Sequence, residues 1–352
     1  MQEAINRSRR RFLGTAAMAV AAAQFGSLAC AKARSDASRL DHATTWLNAP
    51  PRTDREFQGM VVLVEFWTYS CINWRRQLPY VRAWAERYRD HGLVVVGVHS
   101  PEFSFERNVD NVGWAAKDAR ITHPIAIDND YSIWRAFNND YWPALYFIDA
   151  KGQIRGHVFG EGQYGQSEAL IRRLLAEAGA SCIGVDLVSV SARGAEAAAD
   201  WKNLRSEENY LGYKRTEHFA SSGDIKADKA HVYSVVEPLK LNQWALTGDW
   251  TVGSEAIVAN RADGSVSNCF HARDLHLVMG TTVPGKSVPF RVLLDGKPPG
   301  SDHGVDVADN GNGMVVEQRM YQLIRQQQSA IDRQFTIQFL DSDVEAFSFT
   351  FG

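Results

Sequence analysis

The chain has 352 residues, 45% of them hydrophobic, with 10 Trp, 11 Tyr and 17 Phe, which is enough apolar volume for more than one core. That composition excludes a disordered or fibrous protein. The formal charge is -3 and no basic stripe follows the first few residues, so nothing supports a nucleic-acid partner electrostatically.

In chain order the first feature is Arg7, then SRRRFLG over 8–14 and a weakly apolar, Ala-rich stretch to Ala23. This resembles the twin-arginine export signal. The stretch 15–23 is shorter than the ~20 apolar residues of a bilayer span, so it reads as a cleavable signal or short anchor, leaving no stable span after processing. Ala31-Lys32-Ala33 is an A-x-A cleavage site, and Ser27-Leu28-Ala29-Cys30 an imperfect lipobox with Ser where Leu is usual. Cleavage near Ala33 is preferred, giving a signal peptide over 1–33. Its removal takes away Arg7, Arg9, Arg10, Arg11 and Lys32 against Glu3, and leaves a charge of -7. The expected location is the periplasm or cell envelope, an oxidising compartment, with Cys71, Cys182 and Cys269 in the mature chain.

After a polar linker, 60–66 (MVVLVEF) is a continuous apolar run of strand length, suited to the centre of a sheet buried on both faces. Leu78, Val81, Ala85 and Tyr88 then recur at helical spacing. Further strands are predicted at 93–98 and 144–148; 149–152 turns the chain into a strand over 153–158, and 167–178 closes as an amphipathic helix. Strands alternating with helices predict an α/β domain over 44–182. From 240 to 352 the runs 255–259, 265–270, 275–279, 289–294, 335–340 and 345–351, separated by Gly, Asp, Asn and Pro turns, predict an all-β sandwich or jelly roll. The polar, Ala-rich 183–239 reads as a connector free to pack on either domain.

Cys71 falls where a buried strand meets a helix N-terminus, so its sulfur is expected to face free N–H groups and the positive end of the helix dipole. With Arg75 and Arg76 in the next turn, the expectation is a favoured thiolate. WTYSCINW, with Glu65 six residues before the cysteine, Pro79 eight after it and Trp142-Pro143 ahead of a strand, resembles the thioredoxin superfamily. TTWLNAPP, GVHSPEF, IDNDYSIWRAF, YWPALYFID and FGEGQY extend the resemblance to the DipZ type within the TlpA/AhpC-type group. NQWALTGDWTVG, FHARDLHLV and AFSFTFG are similar to the C-terminal sandwich of the same group, which resembles carbohydrate-binding modules. The resemblance implies that Cys71 is the attacking cysteine, Glu65 the buried carboxyl that handles protons beneath it, and Pro143 the cis-proline beside a bound substrate strand. It also implies that Trp67, Tyr69 and Trp142 line the rim.

Trp74 stands where the second cysteine of C-x-x-C belongs, so a resolving thiol inside the motif is missing. Three functions stay open. Cys71 forms a mixed disulfide or sulfenic acid with thiol- or disulfide-containing envelope proteins, and an external thiol resolves it. Alternatively the fold is a redox-inactive binding protein with Trp74 in its groove, or a thiol peroxidase, since Thr68 precedes Cys71 with T-x-x-C spacing. No cofactor motif is present. His271, Arg273, Asp274 and His276 are read as one strand whose two histidines face opposite sides, which argues against a metal. Asp306, Asp309, Asn310 and Asn312 break the calcium-loop spacing and read as Asx/Gly turns. Trp244, Trp250 and Tyr321 read as sandwich core, the alternative being a platform for a glycan ligand. His99 and Glu102 are expected near the Cys71 face.

Overall fold

Val61–Trp67 (β2) is buried along its whole length in the computed structural model, which describes residues 35–352 except 182, 183, 185, 236 and 237. The export signal, Cys30 and Cys182 lie outside the described residues. Around β2 the first sheet is completed by Thr45–Leu47 (β1), Leu93–His99 (β3), Ile125–Ile127 (β4), Ala144–Ile148 (β5) and Ile154–Phe159 (β6), in the order β1-β4-β3-β2-β5-β6. β2, β3 and β4 run parallel, whereas β5, β6 and β1 are antiparallel to their neighbours. Ile72–Tyr88 (α1), Val109–Asp118 (α2), Ser132–Ala136 (α3) and Tyr164–Glu177 (α4) are the helices.

The alternation of β2 assigns its two faces. Val62, Val64 and Phe66 pack with Leu40, Ile133 and Phe137 on one side; Val61 and Leu63 pack with Trp84 and Tyr88 of α1 and Ile171 and Leu174 of α4 on the other. This three-layer arrangement is the thioredoxin-like fold that the resemblance implied.

The second half is antiparallel. Asn209–Tyr210 (β7), Ala230–Tyr233 (β8), Trp244–Val252 (β9), Ile257–Ala259 (β10), Ser265–His271 (β11) and Asp274–Thr281 (β12) come first. Val288–Leu294 (β13), Asn312–Val315 (β14), Arg319–Arg325 (β15), Asp332–Phe339 (β16) and Val344–Phe351 (β17) follow. They form one path, β14-β13-β16-β11-β9-β10-β17-β12-β15, folded into a sandwich with β7 on β17 and β8 on β9. β9 joins the two layers: Trp244–Thr247 pairs with β11, and the residues beyond it pair with β8 and β10. Gly248 stands at the change of partner with φ +100 and a Gly264 Cα 3.1 Å from where its Cβ would be. Only glycine meets both demands without strain.

Trp244, Trp250 and Tyr321 are fully buried in the sandwich core, so none offers a ring face to a sugar. The segment read as a connector is divided between the layers. Val188 N–H donates to Glu168 of α4 and Glu196 pairs with Arg82 of α1, while β7 and β8 belong to the sandwich. Ser35–Gly352 pack as one unit, and the two halves share an apolar seam in which Phe103 and Phe105, after β3, meet Phe347 of β17. Arg76 of α1 is buried there and donates to the Phe351 carbonyl at 3.2 Å.

Candidate active site

Cys71 is the N-cap of α1, in extended backbone geometry, exactly one residue before the first helical turn begins at Ile72. It is a free thiol and half-buried, packed against the apolar cluster that contains Trp67 and Trp74. The helix N-terminus does contribute: backbone N–H groups of Trp74 and Asn73 favour the thiolate. They are outweighed. Burial pushes the Cys71 thiol well above its ordinary range, and the negative charges of Glu102 and Glu208 push it further.

The expected thiolate is therefore corrected, and the arginines explain part of the difference. Arg75 points away to Asp118 at 2.8 Å. Arg76 is spent on the seam, pairing with Glu161 at 3.0 Å. Neither guanidinium is committed to the sulfur.

Trp74 occupies the third position of α1, fully buried, with its ring stacked on Trp67 at 4.5 Å. Trp67 is also fully buried and Tyr69 nearly so, which corrects the expectation that they line the rim. The reason is the seam: the loop after β3 and the sandwich cover what would be an open edge, and Tyr69 packs on Phe105. Trp142 remains half-buried, its indole N–H donating to the Ser100 carbonyl at 3.0 Å. The Trp142-Pro143 peptide is cis and Pro143 is buried at the start of β5.

Glu65 lies at the middle of β2, between β3 and β5, and is fully buried. Gln77 Nε2 of α1 donates to its Oε1 at 3.1 Å. Burial raises its pKa from 4.5 to about 7, with Gln77 and the Trp74 indole working against that rise. It is thus an acid able to hold or release a proton near neutral pH.

His99, expected near Cys71, is fully buried between Trp67 and Tyr69, and burial holds it neutral with its pKa lowered to about 3. Glu102 accepts from Tyr210 and Arg215 of the sandwich. Sequence reasoning missed Glu106, a fully buried carboxylate that accepts from Ser70, the residue before Cys71. Its only signal was a charged residue three positions after Phe103, at the start of a short helical turn.

Cys269 is a buried free thiol on β11, in a separate apolar cluster with Leu239 and Ala245. His271 and His276 are not on one strand: a turn at Ala272-Arg273 separates β11 from β12. His271 Nδ1 meets Asp332, whereas His276 is fully buried against the Thr350 carbonyl. Asp306 is held by Arg319 and by the Gln322 N–H, and Asn310 makes an Asx turn to Asn312. Among the described residues there is no cluster of three metal-ligating side chains, and no helix is long and apolar enough to cross a membrane.

Residues 50–157 match the AhpC/TSA family and residues 206–352 the family described as thioredoxin like C-terminal domain. Protein DipZ of Mycobacterium bovis is 37% identical over 262 residues, 74% of this chain and 36% of that protein, so the chain spans about a third of that relative's length. Thiol-disulfide oxidoreductase YkuV of Bacillus subtilis is 31% identical over 146 residues, 42% of this chain and 98% of the relative. A solution structure of a thioredoxin-like protein in the oxidized form shares 31% identity, covering 42% of this chain and 98% of that one with a TM-score of 0.38. With 98% of YkuV covered at 31% identity, and residues 50–157 matching the AhpC/TSA family, the chain belongs to the thioredoxin-like family of thiol-disulfide oxidoreductases.

Proposed function

We propose that the protein carries out thiol-disulfide exchange through Cys71 alone, acting on thiol- or disulfide-containing proteins of the cell envelope after twin-arginine export. The observation that supports this reading is the first turn of α1: a half-buried thiol at the N-cap, and a buried indole three residues later where a second thiol would stand. SRRRFLG supports the export route.

The exchange balances without a second internal thiol. The Cys71 thiolate attacks one sulfur of a partner disulfide; the Cys71–sulfur bond forms as the partner's S–S bond breaks, and the other partner sulfur leaves and takes up a proton. An external thiolate then attacks the partner's sulfur in the mixed disulfide and Cys71 leaves. A thiol pushed upward in pKa is a poor leaving group, so the adduct is long-lived. Glu65, an acid near neutrality below the site, is the proton reservoir for these steps.

The raised thiol also favours a second reading, in which the groove binds partners without redox chemistry. Cys71→Ser separates the two. Under the exchange reading it abolishes disulfide-linked partner complexes on non-reducing gels from envelope extracts. Partner co-purification under native conditions that persists at parental yield in the serine variant, with no disulfide-linked complex formed by the parent, would leave only the binding role.

A further inference from the structure

Arg215, on the segment that follows β7, reaches out of the sandwich to the first half. Its Nη1 and Nη2 each lie 3.1 Å from Glu102 Oε1, and its guanidinium sits 3.2 Å from the centre of the Tyr210 ring. The Tyr210 hydroxyl donates to the same carboxylate oxygen at 2.5 Å. Glu102 is nearly buried, with 9% of its side chain exposed.

The contact does not stop at Glu102. The Glu102 and Phe103 N–H groups donate to Glu106 Oε2 at 2.6 and 2.9 Å, and Glu106 Oε1 accepts the Ser70 N–H at 3.2 Å and the Ser70 hydroxyl at 2.7 Å. Ser70 is bonded to Cys71. A chain of hydrogen bonds, continued through the covalent frame of Glu102, thus runs from the sandwich to the residue before the thiol.

The sandwich end of the chain is fixed. Tyr210 pairs with Ser348 of β17, Leu211 is fully buried in the sandwich core, and Asn209 and Glu217 exchange hydrogen bonds across the loop. Ser104, beside Glu102, donates its N–H to Glu255 of the sandwich at 3.1 Å.

Resting on the reading that Cys71 is the working thiol, we propose that Arg215 is a positioning residue for it: gripping Glu102 with Tyr210, it holds the Glu102–Glu106–Ser70 chain that ends at the residue before the sulfur. The sandwich therefore tunes the thiol of the other half. The charged groups facing Cys71 are Glu102 and Glu208, with Arg215 opposing both, and Glu106 stands behind Ser70.

The test is the alkylation rate of Cys71 against pH in the full chain, with Cys30, Cys182 and Cys269 replaced by serine. Arg215→Met leaves the Glu102 charge unopposed, so less thiolate forms and the rate at pH 8 falls about threefold or more. Tyr210→Phe, which keeps the ring and removes only the hydroxyl, slows alkylation in the same direction by less. Arg215→Lys, which keeps the charge, restores most of the rate. In a Glu102→Gln background Tyr210→Phe has no effect, and Arg215→Met keeps only the smaller part that acts through Glu208. Faster alkylation in Arg215→Met, an unchanged rate, or an Arg215→Met effect undiminished by Glu102→Gln would overturn the inference. Alkylation judges this inference and disulfide-linked capture judges the exchange reading, so each can fail alone.

Discussion

Trp74→Cys turns a persistent adduct on Cys71 into one that the chain resolves itself. The substitution places a thiol on the first turn of α1 in the C-x-x-C spacing, where it attacks the Cys71 mixed disulfide intramolecularly. The adduct formed with oxidised glutathione then has a lifetime shortened by about tenfold or more, and intact mass shows an internal disulfide in its place. The gain comes at a cost in stability. Trp74 is fully buried and stacked on Trp67, and removing such a side chain destabilises by roughly 3–5 kcal/mol. Trp74→Ala suffers the same loss, read from denaturant midpoints, without gaining self-resolution. An adduct in Trp74→Cys as durable as the parent's contradicts the assignment of position 74 as the vacant resolving place.

Glu65→Gln gains stability relative to the parent as pH rises, and only across one window. The folded carboxyl has a pKa of about 7 against 4.5 for the ordinary group, so between those values the folded chain keeps a proton that the unfolded chain has released. Stability contributed by the neutral acid is fully present below about 4.5 and is lost as pH rises through about 7. Glutamine does not titrate. The difference between variant and parent therefore grows by roughly 3 kcal/mol over that window and is flat outside it. Glu106, His99 and His123 titrate in both chains and cancel in the difference. Urea unfolding of both proteins at four pH values between 4 and 8 checks this, and parallel stability curves contradict it.

The parts of the fold legible in the sequence are those where local pattern and tertiary burial agree. The apolar run 60–66 is β2 displaced by one residue, the run 144–148 is β5, and the predicted closing helix is α4 with an earlier start. β1 and β4, of three residues each, are too short to show a period, and α3 has only five residues. β9 escaped because Gly248 and Asp249 interrupt its apolar pattern where it changes sheets. The position of Cys71 at a helix N-terminus was legible because strand, turn and helix are consecutive. Its electrostatics were not, because they depend on where Arg75 and Arg76 go and on acidic groups from distant segments, Glu102 and Glu208. For the same reason Trp67 and Tyr69 read as rim residues: nothing local announces that Phe347, far along the chain, closes the seam beside them.

The most direct test of a single working thiol is the fate of an adduct on the chain with Cys182 and Cys269 left in place. The parent protein is reacted with oxidised glutathione, freed of reagent and followed by intact mass under non-reducing conditions. The account predicts one glutathione on Cys71 that persists until an external thiol is added. Spontaneous loss of that mass, with formation of a disulfide between Cys71 and Cys182 or Cys269, would contradict it.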